Sequence, residues 1–471
     1  MIWILSLFLL TVNSLIAAPW KSDPQKLILQ EIKKTGIPKE KFGLWVQKAD
    51  QIVGVNENQQ LVPASLSKIP TALAFLKNRS MDETFKTWIY KTGKIKKGVL
   101  EGDLYLKGGG DPTLVNESMW LMIRELKRSG IQKITGNIYV DESYFDSDYY
   151  SRGRQNVRVD RAYDAPVSAL SLNWNSLTIF IRPGDRVGGP AKVFLDPSLS
   201  DVEIQNRSKT MAGTRRTVTV KRLSKDGRTV IRVEGSFGIH AKEKAFYKSI
   251  EDASLWTGKT FKKILNESGV EAKGSVSLSS VPKNATQLVE FDSWEIPRVM
   301  SALSKFSNNF VAEMLTKHIG KKQGAPATME DGLKAINTFL AEKGWKASEY
   351  NFVNPSGFTR KNKMRADRLG ELLSQSYEQF SLAPEFLSSL PISGIDGTLE
   401  KRMKKVMRAK VRAKTGYLNG VVGLAGYMES RSGGEPIVFV FMYNGSPQLY
   451  DIDWKVRALF DRILWKLFQI S

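Results

Sequence analysis

Pro63-Ala64-Ser65-Leu66-Ser67-Lys68 opens a stretch with helical apolar spacing at Ile69, Leu73, Ala74 and Leu76. The Ser-x-x-Lys spacing puts Ser65 and Lys68 on one face of a helix, one turn apart. A neutral lysine there can take the proton of a serine hydroxyl and so create a nucleophile. A helix N-terminus at the same place favours negative charge developing on an attacked carbonyl. Pro70 is tolerated only if it falls near the first turn. Alone, the pattern decides little, because Ser280-Val281-Pro282-Lys283 repeats it in a segment with no helical pattern.

Composition narrows the chemistry in the same direction. The chain has 471 residues, no cysteine and two histidines, His240 and His318. Thiol catalysis, disulfides and Cys-ligated zinc are excluded. So few histidines also argue against a metal site or a Ser-His-Asp triad, so no metal or organic cofactor is expected. The length suggests two or three domains at roughly 150 residues each. An apolar share of 42 % is enough for a large core.

The element pattern is helical at Pro24 to Thr35, then two strands between Phe42 and Val55, then helical again from Ser65. From about Met81 to Val289 short β-branched and aromatic runs dominate, bounded by turns such as Gly108-Gly109-Gly110-Asp111-Pro112 and Asp226-Gly227. Helices return at Pro297–Leu303, Phe310–Ile319, Met329–Lys343 and Arg365–Phe380, followed by strands near Gly420–Met428 and Ile437–Met442. The last helix, Trp454 to Phe468, has an apolar stripe with basic residues off it; it fits packing on a sheet, and a membrane-surface helix is the other reading. This order predicts an α/β (α+β) domain over 18–80 and 290–471, interrupted by a β-rich insertion at 81–289. Met1 to Ala18 carries no charged side chain and ends in small residues. It reads as a signal peptide over 1–17, hence export and a periplasmic location, with no cysteine for a lipid anchor.

Lys-Thr-Gly occurs three times, and only Lys414-Thr415-Gly416 leads into a strand-like run, Val421 to Tyr427. Lys34-Thr35-Gly36 is explained as a helix end, and Lys91-Thr92-Gly93 as a solvated turn. Ser307-Asn308-Asn309 falls between two helical segments. Ser65-x-x-Lys68, Ser307-x-Asn309 and Lys414-Thr415-Gly416 therefore form an ordered set: helix, inter-helix turn and strand. That is the arrangement of penicillin-recognising serine hydrolases.

Further stretches carry a closer likeness: Gly102-Asp103-Leu104-Tyr105-Leu106, Gly108 to Leu114, Ala169-Leu170-Ser171-Leu172-Asn173 and Asp396-Gly397-Thr398-Leu399. With the three triplets, they resemble the D-alanyl-D-alanine carboxypeptidase/endopeptidase family, the class C low-molecular-mass penicillin-binding proteins. The resemblance implies a β-lactamase/transpeptidase-like domain of helices around an antiparallel sheet, with a large insertion between the first two motifs. It implies Ser65 as the acylated nucleophile and Lys68 as its base, kept neutral by the charge of Lys414. Ser307 and Asn309 would relay the proton and hold the substrate amide. Lys414, Thr415 and Gly416 would hold the terminal carboxylate. The backbone N–H groups of Ser65 and Tyr417 would form the oxyanion hole.

Two departures bear on preference. Tyr417 stands where the family has Ser or Thr, and Asn354-Pro355-Ser356-Gly357-Phe358 replaces Asp-Gly-Ser-Gly-Leu. Arg360 is a candidate carboxylate partner and Asp141 a candidate for the amino group of a diamino acid, with an ordinary surface charge as the alternative for each. The implied activity is hydrolysis of peptidoglycan stem peptides and cross-links, with β-lactams as acylating ligands. A β-lactamase or esterase of the same fold and a non-catalytic wall-binding protein are the alternatives.

The net charge of +22 is concentrated partly in Lys401, Arg402, Lys404, Lys405, Arg408, Lys410 and Arg412. Attraction to anionic wall polymer or a membrane surface fits it, as does a solvated basic face. No nucleic-acid motif accompanies it, and a homodimer is left open.

Overall fold

The computed structural model describes residues 19–77, 79–151, 154, 159–225 and 228–471, with 449–451 as backbone only. The expected signal segment and the Asp226-Gly227 turn lie outside these residues. The chain forms two compact units. The first takes the described part of Met1–Leu61 with Arg365–Gln375 and Pro391–Ser471; the second takes Val62–Met364 and Ser376–Leu390.

The first unit is built on one antiparallel sheet. Strands β1 (Phe42–Lys48), β2 (Gln51–Val55), β3 (Val411–Leu418), β4 (Val421–Met428) and β5 (Ile437–Asn444) lie in the order β3-β4-β5-β1-β2. Register is set by pairs such as Leu44 with Phe441 and Lys414 with Ala425. Helix α1 (Pro24–Lys33) and the C-terminal helix Asp453–Ile470 supply the covering layer. The stripe Val456, Leu459, Phe460, Ile463, Leu464 and Leu467 is buried in one cluster with Phe42, Leu44, Val46, Phe439 and Phe441. Packing on the sheet is therefore what that stripe does, and a membrane-surface helix is not needed. Arg462 Nε and Lys466 Nζ reach back to Glu31 of α1, each at 2.8 Å. Among the described residues no helix is long and apolar enough to cross a membrane.

The Lys-Thr-Gly triplet lies on a strand of its own, β3, rather than merely leading into one. Its polar residues hide the period-two signal, but the ladder to β4 fixes it as the edge of the sheet.

The second unit holds the Ser-x-x-Lys segment, the Ser-Asn-Asn turn and everything between them. Residues 81–289 are β-rich as expected, with a five-stranded sheet, a four-stranded sheet and two three-stranded sheets in this unit. Two helices were not anticipated there, Asn116–Arg128 and Ala253–Glu267. Their apolar stripes close the core of the five-stranded sheet through Met119, Met122, Ile123, Phe261 and Leu265. A second core gathers around Ile179, Ile231, Val233 and Phe237.

The glycine-rich run is a structural joint. Gly110 has φ +79°, and a Cβ there would lie 2.6 Å from His318 Nε2. That imidazole instead pairs with the Gly110 carbonyl at 2.8 Å and packs edge-on against Phe85 and Phe145. Burial pushes His318 down to about 3, so it is neutral at pH 7 and serves packing.

Candidate active site

The nucleophile segment is tighter than a plain helix start. Ala64–Ser67 forms a 3-10 turn, and helix α2 (Lys68–Leu76) continues from it. Pro70 thus falls in the first turn of α2, where its missing N–H removes no hydrogen bond. Ser65 is half-buried, and Lys68 is 1 % exposed.

Lys68 Nζ lies 3.0 Å from Ser65 Oγ, 2.8 Å from Asn309 Oδ1 and 2.5 Å from the Ser356 carbonyl oxygen. A neutral amine has two N–H groups and one lone pair. Giving the two donors to the amide oxygen and the carbonyl leaves the lone pair for the Ser65 hydroxyl proton. This is the geometry a serine needs to be activated without imidazole.

Asn309 opens helix α4 (Asn309–Ile319), which follows α3 (Ile296–Lys305) across the turn Phe306-Ser307-Asn308. The Asn308 N–H donates to Leu303 O and the Ser307 N–H to Ser304 O, the pattern of a left-handed helix end. Ser307 occupies the left-handed position at φ +54°, where glycine is the usual residue. Asn308 caps α4 by accepting the Val311 N–H. Asn309 Nδ2 donates to the Tyr163 carbonyl at 3.1 Å.

A buried ion cluster holds that carbonyl against α4. Arg154 Nη2 pairs with Glu313 Oε2 at 2.6 Å, and Nη1 with Asp164 Oδ1 at 2.9 Å. Glu313 lies one turn past Asn309 on α4, and Asp164 adjoins Tyr163 in the chain. The cluster therefore sets the position of the Asn309 amide. Nothing in the local sequence around Arg154 announces it, since Glu313 lies 159 residues away and the neighbouring residues show no apolar periodicity.

The Asn354 to Phe358 loop, expected near the site as an altered motif, supplies the Ser356 carbonyl. Asn354 Oδ1 accepts from the Ser356 N–H and Oγ, and Asn362 Nδ2 donates to both Asn354 O and Ser67 Oγ. Gly357 has φ +75°, and a Cβ there would sit 1.8 Å from the Ala64 carbonyl. Only glycine lets the loop approach the nucleophile turn this closely. Arg360 follows the loop, half-buried.

Lys414, Thr415, Gly416 and Tyr417 belong to the first unit, on edge strand β3. Lys414 is buried, and its ammonium donates to the Thr415 carbonyl at 2.9 Å. Burial pushes it down to about 7. Thr415 Oγ1 lies 2.9 Å from Thr398 Oγ1, so the Asp-Gly-Thr-Leu segment places a second hydroxyl beside the first. From the sequence alone Thr398 has no assigned role. The Tyr417 ring, 44 % exposed, packs against the Arg457 guanidinium at 4.3 Å.

Asp141 ends the strand Ile138–Asp141 and is 2 % exposed. Its Oδ1 accepts the Ser143 N–H and its Oδ2 the Val281 N–H, both at 2.9 Å, and it borders a cavity of about 310 Å³.

A family model for the D-Ala-D-Ala carboxypeptidase 3 (S13) family matches residues 25–459. A D-alanyl-D-alanine carboxypeptidase of Actinomadura sp. (strain R39) is 30 % identical over 413 residues, 84 % of this chain and 76 % of that protein. The fold is that of penicillin binding protein 4 from Haemophilus influenzae, with a TM-score of 0.74 at 22 % identity over 91 % of this chain and 99 % of the other. A predatory endopeptidase from Bdellovibrio bacteriovorus aligns with a TM-score of 0.54 at 15 % identity, over 91 % and 92 % of the two chains. With the match spanning nearly all of the described residues, the chain belongs to the D-Ala-D-Ala carboxypeptidase 3 (S13) family and is a serine-type peptidase.

Proposed function

We propose that this carboxypeptidase works on peptidoglycan stem peptides with Ser65 as the acylated nucleophile. Lys68 takes the Ser65 hydroxyl proton while Oγ attacks the carbonyl carbon of the penultimate D-alanine. The C–N bond breaks, and the leaving amine receives a proton through Lys68 and Ser307. Water then attacks the ester carbonyl as Lys68 takes one of its protons, and Lys68 passes that proton to Ser65 Oγ as the ester C–O bond breaks and the shortened peptide leaves with a new carboxyl group. The backbone N–H of Ser65 receives the oxyanion in both halves of the reaction.

Lys414 and Thr415 hold the terminal carboxylate, and Gly416 lets the peptide lie close to β3. Thr398 supplies the short aliphatic hydroxyl that Ser or Thr at position 417 would otherwise provide. Lys414 at about 7 is partly neutral in the empty site, and an arriving carboxylate recharges it. Arg360 is a further carboxylate partner in this reading. A β-lactam presents the same carboxylate and a strained amide, so it acylates the same serine. Cleavage of D-alanyl cross-links uses the same chemistry with a longer leaving group. Export through the segment 1–17 puts the enzyme where its substrate is, and 81–289 is read as a domain inserted into the peptidase.

The observation that carries this reading is the Lys68 amine held by Asn309 and Ser356 with Ser65 at its remaining position. The test is release of free D-alanine from diacetyl-Lys-D-Ala-D-Ala by the purified chain. Release by wild type and none by Ser65→Ala supports it; equal release by both overturns it.

A further inference from the structure

Beside the Ser-Asn-Asn turn lies a cavity of about 650 Å³, and apart from the wall formed by that turn the peptidase chemistry above does not use it. Ser307 and Asn309 form one wall; the others come from residues 115–117, 162–163, 173, 174, 176, 178, 196 and 247, all within the second unit. Its size suits a small ligand.

The lining is unusual in two respects. Four aromatic side chains that border it, Tyr163, Trp174, Tyr247 and Phe306, are exposed, Phe306 to 72 %. In a chain with 70 Lys and Arg, none lines this cavity among the described residues. Its polar groups are amides, hydroxyls and carboxylates, notably Asn116, Asn173 and Asp196. Asn173 Nδ2 donates to Asn116 Oδ1, and Asn116 Nδ2 to Asp196 Oδ1, each at 3.0 Å, a chain of planar acceptors at the rim.

Trp174 is held there against its own preference. Asn173, Trp174 and Asn175 are all left-handed, with φ of 51°, 56° and 51°. Asparagine adopts this region readily; a bulky residue does not. Asn175 anchors the turn by donating to the Pro166 carbonyl and Ser171 Oγ. The strain is thus maintained by buried hydrogen bonds and has the effect of presenting an indole at the cavity.

Flat apolar faces with neutral or acidic hydrogen-bonding groups and no cation suit an uncharged polyol. They do not suit a carboxylate-bearing peptide or a polyanion. We propose that this cavity is a saccharide subsite that takes an N-acetylated sugar of the glycan strand bearing the stem peptide, stacked on Trp174 with its hydroxyl and acetamido groups on the Asn116–Asn173–Asp196 rim. The proposal rests on the peptidoglycan reading for its biological sense, but the binding itself can be measured apart from it.

The experiment has two arms on the full-length protein. In titration calorimetry with triacetylchitotriose, wild type and Trp174→Phe saturate, whereas Trp174→Ala and Tyr247→Ala bind about tenfold more weakly. In kinetics, wild type favours a disaccharide-pentapeptide over the free pentapeptide by about tenfold in kcat/KM, and that ratio falls toward one in Trp174→Ala. Tyr247→Ala changes a surface side chain and guards against misreading an unfolded variant. Absence of saturation by triacetylchitotriose, or a ratio of one in wild type, overturns the subsite. So does a ratio unchanged in both alanine variants. If the sugar binds as stated but neither substrate is turned over, the subsite stands and the peptidase reading fails.

Discussion

Lys68 Nζ stands 2.8 Å from Asn309 Oδ1, which joins the first and second motifs across 241 residues of chain in one hydrogen bond. The amide oxygen can only accept, so it fixes one N–H of the amine; the Ser356 carbonyl fixes the second, and together they aim the lone pair at Ser65. Asn309 is fixed in turn by its own donation to Tyr163 O. Basicity and aim are therefore supplied by different residues.

Ser307 is retained in a left-handed position that glycine would occupy at lower cost. Ser307→Gly is expected to raise stability by about 0.5–1 kcal/mol while lowering kcat at least tenfold. Urea unfolding and D-alanine release measured on the same preparation check both signs. A variant that loses stability would show that the hydroxyl, not the backbone, holds this turn.

Arg154 neutralises two buried carboxylates. Arg154→Met leaves Glu313 and Asp164 uncompensated, with an expected loss of about 3–5 kcal/mol. Arg154→Lys keeps the charge but not the two-pronged contact, and should fall between. Thermal or urea unfolding reads the order directly, and equal stability of all three proteins would contradict it.

Burial lowers Lys414 to about 7 from 10.5. For a lysine with a depressed folded value, the penalty for charging a buried group is fully present below pH 7. It fades as pH rises from 7 to 10.5, where the unfolded chain also loses its proton. Lys414→Met is accordingly expected to be more stable than wild type at pH 6, with the gain shrinking by pH 10, and to be inactive. Melting curves across that range test the sign. A gain that grows with pH would refute it.

Thr398 stands beside Thr415 with their hydroxyl oxygens 2.9 Å apart. Thr398→Val keeps the shape and removes the hydroxyl. KM for a substrate with a free terminal carboxylate should rise about tenfold, with a smaller change in kcat. An unchanged KM would remove Thr398 from the carboxylate site.

Much of this was legible in the sequence because the three motifs are local. Ser-x-x-Lys is one turn of helix, and Ser307-Asn308-Asn309 is a helix end followed by a cap. Asp-Gly-Thr-Leu and the glycine-rich run identify the family by type and order. The order of the motifs puts Lys-Thr-Gly on a strand, but no alternating apolar pattern marks where that strand runs, and the pairing with β4 sets its bounds. The helices Asn116–Arg128 and Ala253–Glu267 were lost in a segment whose β character dominated. The Arg154–Glu313 pair and the Ser356 carbonyl at Lys68 join residues far apart in the chain, and no local pattern encodes them.

The central claim is that the Lys68 amine, and no imidazole, activates Ser65. The most direct measurement is the rate at which labelled benzylpenicillin acylates the protein, with the labelled peptide identified by mass spectrometry. The expected result is one label on Ser65, with acylation about 10²–10⁴-fold slower in Lys68→Ala. A label on another residue, or an acylation rate untouched by Lys68→Ala, would contradict the account.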